Sequence, residues 1–385
     1  MGKELDPSIY REQSYEQTTR QTYNQQAIES LNQELTTARG HGDRQSEANI
    51  LRALGLVHYN CGDIRRAVGY HEQALAISRE QGERHMECLS LDDLGDVYAL
   101  LGEVRRAISF YEQTLALAHD IGDRHCESSA LNGLGYAYSR WGELPEAIEY
   151  HKQALAIARE QRDQIGENNA LYGLGYCYAD LANTHAAIDC LRQALDLARE
   201  LDNRYAESNA RYGLGRVCYL QGEFSQAMTY LERARKIDKE LGRRHHEGVV
   251  LNELGLVEQD LGDVHTALSN FKEALTIARE VGDRYGEGTI LGNMGTAYVA
   301  LNNARMAMYY HKQALTIARE IGDRHGEATS SWFLGMLAER YNGDLVKAVQ
   351  FYEVSVTWKR HVGHPEAEKE ARQLARLKQR LQKKR

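Results

Sequence analysis

Glycine returns at an unbroken interval of 40 residues, at Gly55, Gly95, Gly135, Gly175, Gly215, Gly255, Gly295 and Gly335. Leucine precedes seven of these and Met294 the eighth, and glutamate stands eight residues before each, from Glu47 to Glu327. Alanine follows twelve residues later, from Ala67 to Ala307, and once at thirteen, Ala348, which puts a one-residue insertion near Asn342 and Gly343. A fixed period of this length means a stack of identical supersecondary units, which overrides the usual inference of domain number from chain length.

Each unit reads as two helices. In the third, residues 130, 131, 134, 137, 138 and 141 form one apolar stripe at helical spacing. Gly142-Glu143 breaks the chain, and residues 147 to 158 carry a second stripe. The link between units is often Gly-Asp-Arg, as at 42–44, 122–124, 282–284 and 322–324. Glycine suits the left-handed position after a helix, aspartate caps the next one, and the glutamate four residues on lies near its positive end. A glycine inside a helix costs roughly 1 kcal/mol against alanine, so its recurrence predicts close packing at that point.

Composition agrees with an all-α chain. Proline occurs only at Pro7, Pro145 and Pro365, and alternating β-branched runs are missing. Mean hydropathy is −0.59, and neither a membrane-spanning stretch nor a secretory leader is evident, which gives the expectation of a cytoplasmic protein. The six cysteines show no metal-ligand spacing. Net charge is −8, yet residues 371–385 carry seven positive charges and no acid, leaving −15 on residues 1–370. An acidic body argues against wholesale nucleic-acid binding, and a contact of Lys383, Lys384 and Arg385 with an anionic lipid or nucleic acid is the alternative to a purely capping role for the basic tail.

The motif is similar to the tetratricopeptide repeat (TPR). Leu131, Leu134, Gly135, Tyr138, Ala147, His151 and Ala154 take the positions of the family pattern. The 40-residue unit resembles the long-helix arrays of the LGN/Pins adaptors and kinesin light chains. The resemblance implies an α-solenoid, a right-handed superhelix of about eight helix-turn-helix units. Its expected divisions are an N-terminal segment and half-repeat helix over 1–43, eight units over 44–362, and a basic capping helix over 363–385. The segment 8–23 is expected to add a short helix before the half-repeat.

No catalytic signature is present. Gly213-Leu214-Gly215 lacks the third glycine of a dinucleotide loop, and His246-Glu247 is followed by Val250 where a zinc motif needs histidine. The histidines at 85, 125, 245 and 325 follow the repeat, which assigns them to linker packing. The expectation is a non-enzymatic scaffold with no cofactor and no metal.

The resemblance also implies a concave groove lined by the first helix of each unit. Its columns lie three before the repeat glycine, one after it, and four or five after it. They are richest in repeats three to five, with Asn132, Tyr136, Arg140, Tyr172, Tyr176, Tyr212, Arg216 and Tyr219, joined by Asn169 and Asn209 a turn earlier. Tyrosine and arginine dominate interface hot spots, so these ten residues are the expected site for a peptide or protein segment. Tyr98, Tyr138, Tyr178 and Tyr298 belong to a packing column instead. LGN/Pins arrays carry asparagine directly after Leu-Gly; this chain has none there, so their ligands do not carry over. Alternatives are a regulatory module whose pitch responds to a small effector, and self-assembly through the terminal helices.

Overall fold

The computed structural model describes residues 25–361, 364 and 366–383. The expected helix of segment 8–23 and the terminal pair Lys384 and Arg385 lie outside the described residues. The described residues are helical from end to end: α1 (25–41), then α2 (Arg44–Asn60), α3 (Ile64–Gln81), α4 (Arg84–Leu100), α5 (Val104–Ile121) and α6 (Arg124–Trp141). There follow α7 (Leu144–Gln161), α8 (Gln164–Asp180), α9 (Thr184–Glu200), α10 (Arg204–Leu220), α11 (Phe224–Leu241) and α12 (Arg244–Asp260). The array continues through α13 (Val264–Val281), α14 (Arg284–Ala300), α15 (Ala304–Ile321), α16 (Arg324–Leu337), α17 (Leu345–His361) and α18 (Ala367–Gln382). Among the described residues there is no strand. Each helix packs on the next, an α-solenoid of helix pairs.

The caps are those the linkers anticipate. Asp43, Asp123, Asp163, Asp283 and Asp323 each accept a backbone N–H from the first turn of the following helix. The extra residue near Asn342 becomes a π-helical turn over Ala338–Asn342, closed by Gly343 at φ 62°. An insertion is thereby absorbed without shifting the repeat register.

Packing explains the glycine column. A methyl group added at Gly95 would lie 2.4 Å from the Tyr111 ring, and one added at Gly133 would meet the same ring at 2.4 Å. Tyr111 of α5 is therefore clasped between two first helices. His71, His151, Leu191, Leu231, Phe271, His311 and Tyr352 fill the same place in the other units. The alanine column, Ala67 to Ala348, is wholly buried. Gly95→Ala should cost stability despite a helix-propensity gain of about 1 kcal/mol, because an overpacked core loses about 1–3 kcal/mol. Gly292→Ala, with nothing within 4 Å of the new methyl, should gain up to about 1 kcal/mol. Urea unfolding followed by circular dichroism measures both, and equal shifts in one direction would contradict the clasp.

The repeated glutamate does more than meet a helix dipole. Glu47 binds Arg39 of α1 and Arg44 of its own helix, both at 2.7 Å, while Arg44 also reaches Glu80 of α3 at 2.5 Å. The same bridge joins Arg279, Arg284 and Glu287, with Arg284 also on Glu320. At the far end, Leu374 and Leu377 of α18 pack with Val349, Tyr352 and Val356 of α17. Lys359 pairs with Glu370 at 2.5 Å beside them.

The superhelix turns far enough for distant repeats to touch. A methyl at Gly62 would lie 2.9 Å from the Val281 Cα, and one at Gly102 would lie 3.4 Å from Ile321. Val281 is 5% exposed in consequence, whereas Leu241, its counterpart one repeat earlier, is 44% exposed. The inner wall thus encloses a lumen instead of an open trough.

Candidate functional site

The first helices present their inner columns to this lumen. On α6, the Arg140 Nη1 donates to the Tyr136 hydroxyl at 3.1 Å. Its guanidinium lies 4.1 Å from the ring centroid of Tyr285 on α14. That contact crosses the lumen, and the neighbouring Tyr285 hydroxyl is pushed up to about 12 by burial. Two repeats on, the Arg216 guanidinium stands 4.3 Å over Tyr176, whose ring lies 6.4 Å from Tyr172. Arg216 Nη2 donates to Asp180 at 2.5 Å, and Glu253 lies 3.9 Å from its Nε. Burial raises the Glu253 carboxyl, against the pull of Arg216.

On these two arginines, Nε and Nη2 of Arg140 and Nη1 of Arg216 are buried with no hydrogen-bond partner among the described residues. A buried donor left unpaired costs about 1–3 kcal/mol, more when charged. These arginines therefore offer donors that an added acceptor would satisfy.

The structure separates the ten expected residues. Tyr136, Arg140, Tyr172, Tyr176 and Arg216 gather on the lumen wall, with Tyr136 45% exposed. Tyr212 is turned inward, 4% exposed and edge-on to His246 at 5.3 Å, so its ring is core. Asn132 faces His151, whose Nδ1 lies 3.1 Å from its Oδ1. Asn209 accepts from Arg243 at 2.9 Å, and Asn169 is exposed. The Tyr219 hydroxyl donates to Asp260 at 2.8 Å. The packing column behaves as expected: Tyr98 stacks on Phe110, and Tyr138 on Tyr150, at 5.3 Å.

Asp92 and Asp96 of α4 are the residues the tyrosine-led reading passes over. Asp92 Oδ2 accepts from the Ser129 hydroxyl at 2.6 Å, while its Oδ1 is buried with no partner. Asp96 accepts from the Tyr111 hydroxyl at 2.6 Å. Burial, followed by Asp96, raises Asp92 to about 8; Asp96 is open to the lumen, and desolvation by the enclosing walls raises it to about 6. The signal was present in sequence, since both aspartates fall in groove columns of repeat two. The lumen consequently carries a carboxyl pair at repeat two and two guanidinium groups at repeats three and five, the second already bonded to Asp180.

A separate cluster brings His85, Asp123 and Cys126 within 4.8 Å of one another. His85 lies 2.6 Å from Asp123. The same pairing recurs at 3.2 Å between His125 and Asp163 and at 3.1 Å between His245 and Asp283. It is linker packing, made at the three linkers where a histidine precedes an aspartate by 38 residues. No described helix is long and apolar enough to cross a membrane.

Comparison with known proteins agrees with this architecture. A family profile described as the MalT-like TPR region matches residues 46–245, and a tetratricopeptide-repeat profile matches 247–320. No curated protein matches the sequence. Among solved structures, a Rap protein complexed with Competence and Sporulation Factor superposes with a TM-score of 0.59 at 14% identity, covering 89% of this chain and 100% of that one. A Rap conjugation gene regulator in complex with a Phr peptide gives 0.58 at 14% identity, covering 92% and 96%. A STAND signal-transduction ATPase with a tetratricopeptide-repeat sensor, from Pyrococcus horikoshii, gives 0.54 at 17% identity, covering 85% of this chain and 49% of that one. Half of this chain and more is matched by one profile, and the chain belongs to the MalT-like tetratricopeptide-repeat family.

Proposed function

We propose that this protein is a non-enzymatic binding scaffold that holds a peptide or protein segment inside its lumen. The observation that carries the reading is the set of buried, unpartnered guanidinium nitrogens on Arg140 and Arg216 beside the exposed Tyr136 ring. A carboxylate between the two arginines would satisfy those donors with charge-assisted bonds. The peptide body would lie across Tyr136 and Tyr176, rings that offer broad contact area and a hydrogen-bonding tip. A basic side chain or terminal amine would pair with the Asp96 carboxylate beside the protonated Asp92. Two neighbours of the same fold were solved with Competence and Sporulation Factor and with a Phr peptide, which supports a ligand of this size class.

The test is paired capture from native cell extract, with wild type and with Tyr176→Ala/Arg216→Ala as baits, read by mass spectrometry. A peptide or protein retained only by wild type supports lumen binding. Identical retention by both baits overturns it.

A further inference from the structure

Away from the lumen, repeat five departs from its own pattern in the core. Four residues before the repeat glycine stand Leu51, Leu91, Leu131, Leu171, Leu251 and Leu291, all buried, with Ser331 in the last unit. Repeat five has Arg211 there, 9% exposed. Burying a guanidinium among leucines is costly unless every donor is met. Arg211 meets only part of that need: Nε and Nη2 bond Glu207 Oε1 at 3.0 and 2.6 Å, and Nη1 is buried with no partner.

Arg211 lines a cleft of about 570 Å3 between α9 and α11, a volume typical of small-molecule sites. Arg192 and Arg199 stand on α9 and Arg233 on α11, all exposed. Arg199 lies 3.7 Å from Asp196 and 3.9 Å from Glu207. Arg192 and Arg233 form no ion pair among the described residues. Four arginines therefore outnumber two acids around one concavity. The hydroxyls of Ser225 and Thr229 lie in the same lining, and Leu195, Leu214 and Tyr230 supply an apolar wall.

We propose that this cleft binds a small phosphate monoester, its phosphoryl group between Arg211, Arg192 and Arg233 and its organic body against Tyr230. A phosphoryl group presents three acceptor oxygens at nearly two negative charges, which suits several guanidinium forks better than a two-oxygen carboxylate does. The site is independent of the lumen. It shares no residue with it and faces outward between second helices.

Phenyl phosphate is the probe, titrated calorimetrically into the full chain beside inorganic phosphate and benzoate. Phenyl phosphate should bind at least about tenfold more tightly than either, because a hydrogen bond to a charged group and an apolar contact are each worth that much. Arg211→Leu restores the residue of six other repeats, so it should keep or raise the melting temperature while weakening phenyl phosphate about tenfold or more. Arg192→Gln/Arg233→Gln changes only exposed side chains and should weaken it similarly, whereas Tyr176→Ala/Arg216→Ala should leave it unchanged. No binding to wild type, equal binding to Arg211→Leu, or benzoate binding as tightly as phenyl phosphate would each overturn the proposal. Inorganic phosphate binding as tightly as the ester would overturn the role given to Tyr230.

Discussion

Removing Tyr176 and Arg216 together should leave the array folded and lower affinity for the lumen ligand by about a hundredfold, the combined worth of a charged hydrogen bond and a stacked ring. Both side chains lie on the inner face of helices whose cores are built by other columns, with Leu174 and Leu214 buried beneath them. Arg216→Ala strands both Asp180 and Glu253, but Asp180 is exposed to water and Glu253, already raised by burial, can take a proton instead of remaining an unpaired charge. Helicity and melting should therefore stay close to wild type. Tyr212→Ala should behave in the opposite way. Its ring packs among Leu231, Val250 and Leu254, so truncation should cost about 3–5 kcal/mol of stability, with any loss of binding following from that.

Acid should weaken this fold in a window set by histidine. His151 and His311 are buried in the clasp between first helices, and burial lowers each to about 4 from its ordinary 6.5. Burial lowers His71 in the same way, against the pull of Asp93 3.4 Å away. The unfolded chain binds these protons more readily than the folded one. Their contribution is therefore complete above about pH 6.5 and is lost as pH falls toward 4. At 1.36 kcal/mol per unit, the loss is on the order of 3 kcal/mol for each of His151 and His311. Asp92 and Asp96, raised by desolvation, work with the opposite sign over part of this range. The informative quantity is therefore a difference. His151→Leu/His311→Leu installs the residue that repeats four and five already use, Leu191 and Leu231. Urea unfolding of variant and wild type at pH 7.5 and 4.5 should show the variant gaining several kcal/mol relative to wild type on acidification. Parallel pH profiles would contradict the assignment.

Much of the architecture was legible because every unit repeats the same local conflict and solves it in the same way. A glycine in mid-helix announces a large residue pressed against it, and Tyr111 between Gly95 and Gly133 is that residue. Asp123 and its equivalents announce helix starts. Even the one-residue slip before Ala348 was visible, although only the folded backbone shows it as a π-turn. The bridge through Glu47 was half legible: the arginine eight residues earlier recurs in sequence, but its reach across helices depends on how they cross.

The lumen was less legible for a physical reason. Whether Gly62 meets Val281 depends on small rotations summed over more than five repeats, and no single repeat encodes that sum. The Arg140–Tyr285 contact follows from it, and so does the enclosure of the arginine nitrogens. Column position also does not fix side-chain direction. Tyr176 and Tyr212 lie in adjacent groove columns, yet one faces the lumen and the other packs against His246. Arg211 breaks a leucine column in plain view, but only its unpaired nitrogen beside Arg192 and Arg233 turns that break into a site.

The most direct measurement replaces Tyr136, an exposed lumen tyrosine beside Arg140, with photoreactive benzoylphenylalanine and irradiates the protein in native extract. A second protein carries the same group at Tyr309, which is 56% exposed on the second helix of repeat seven. Lumen binding predicts a peptide or protein adduct at position 136 that disappears in the Arg140→Ala/Arg216→Ala background. Adducts formed only at position 309, or adducts at 136 that survive loss of both arginines, would contradict it.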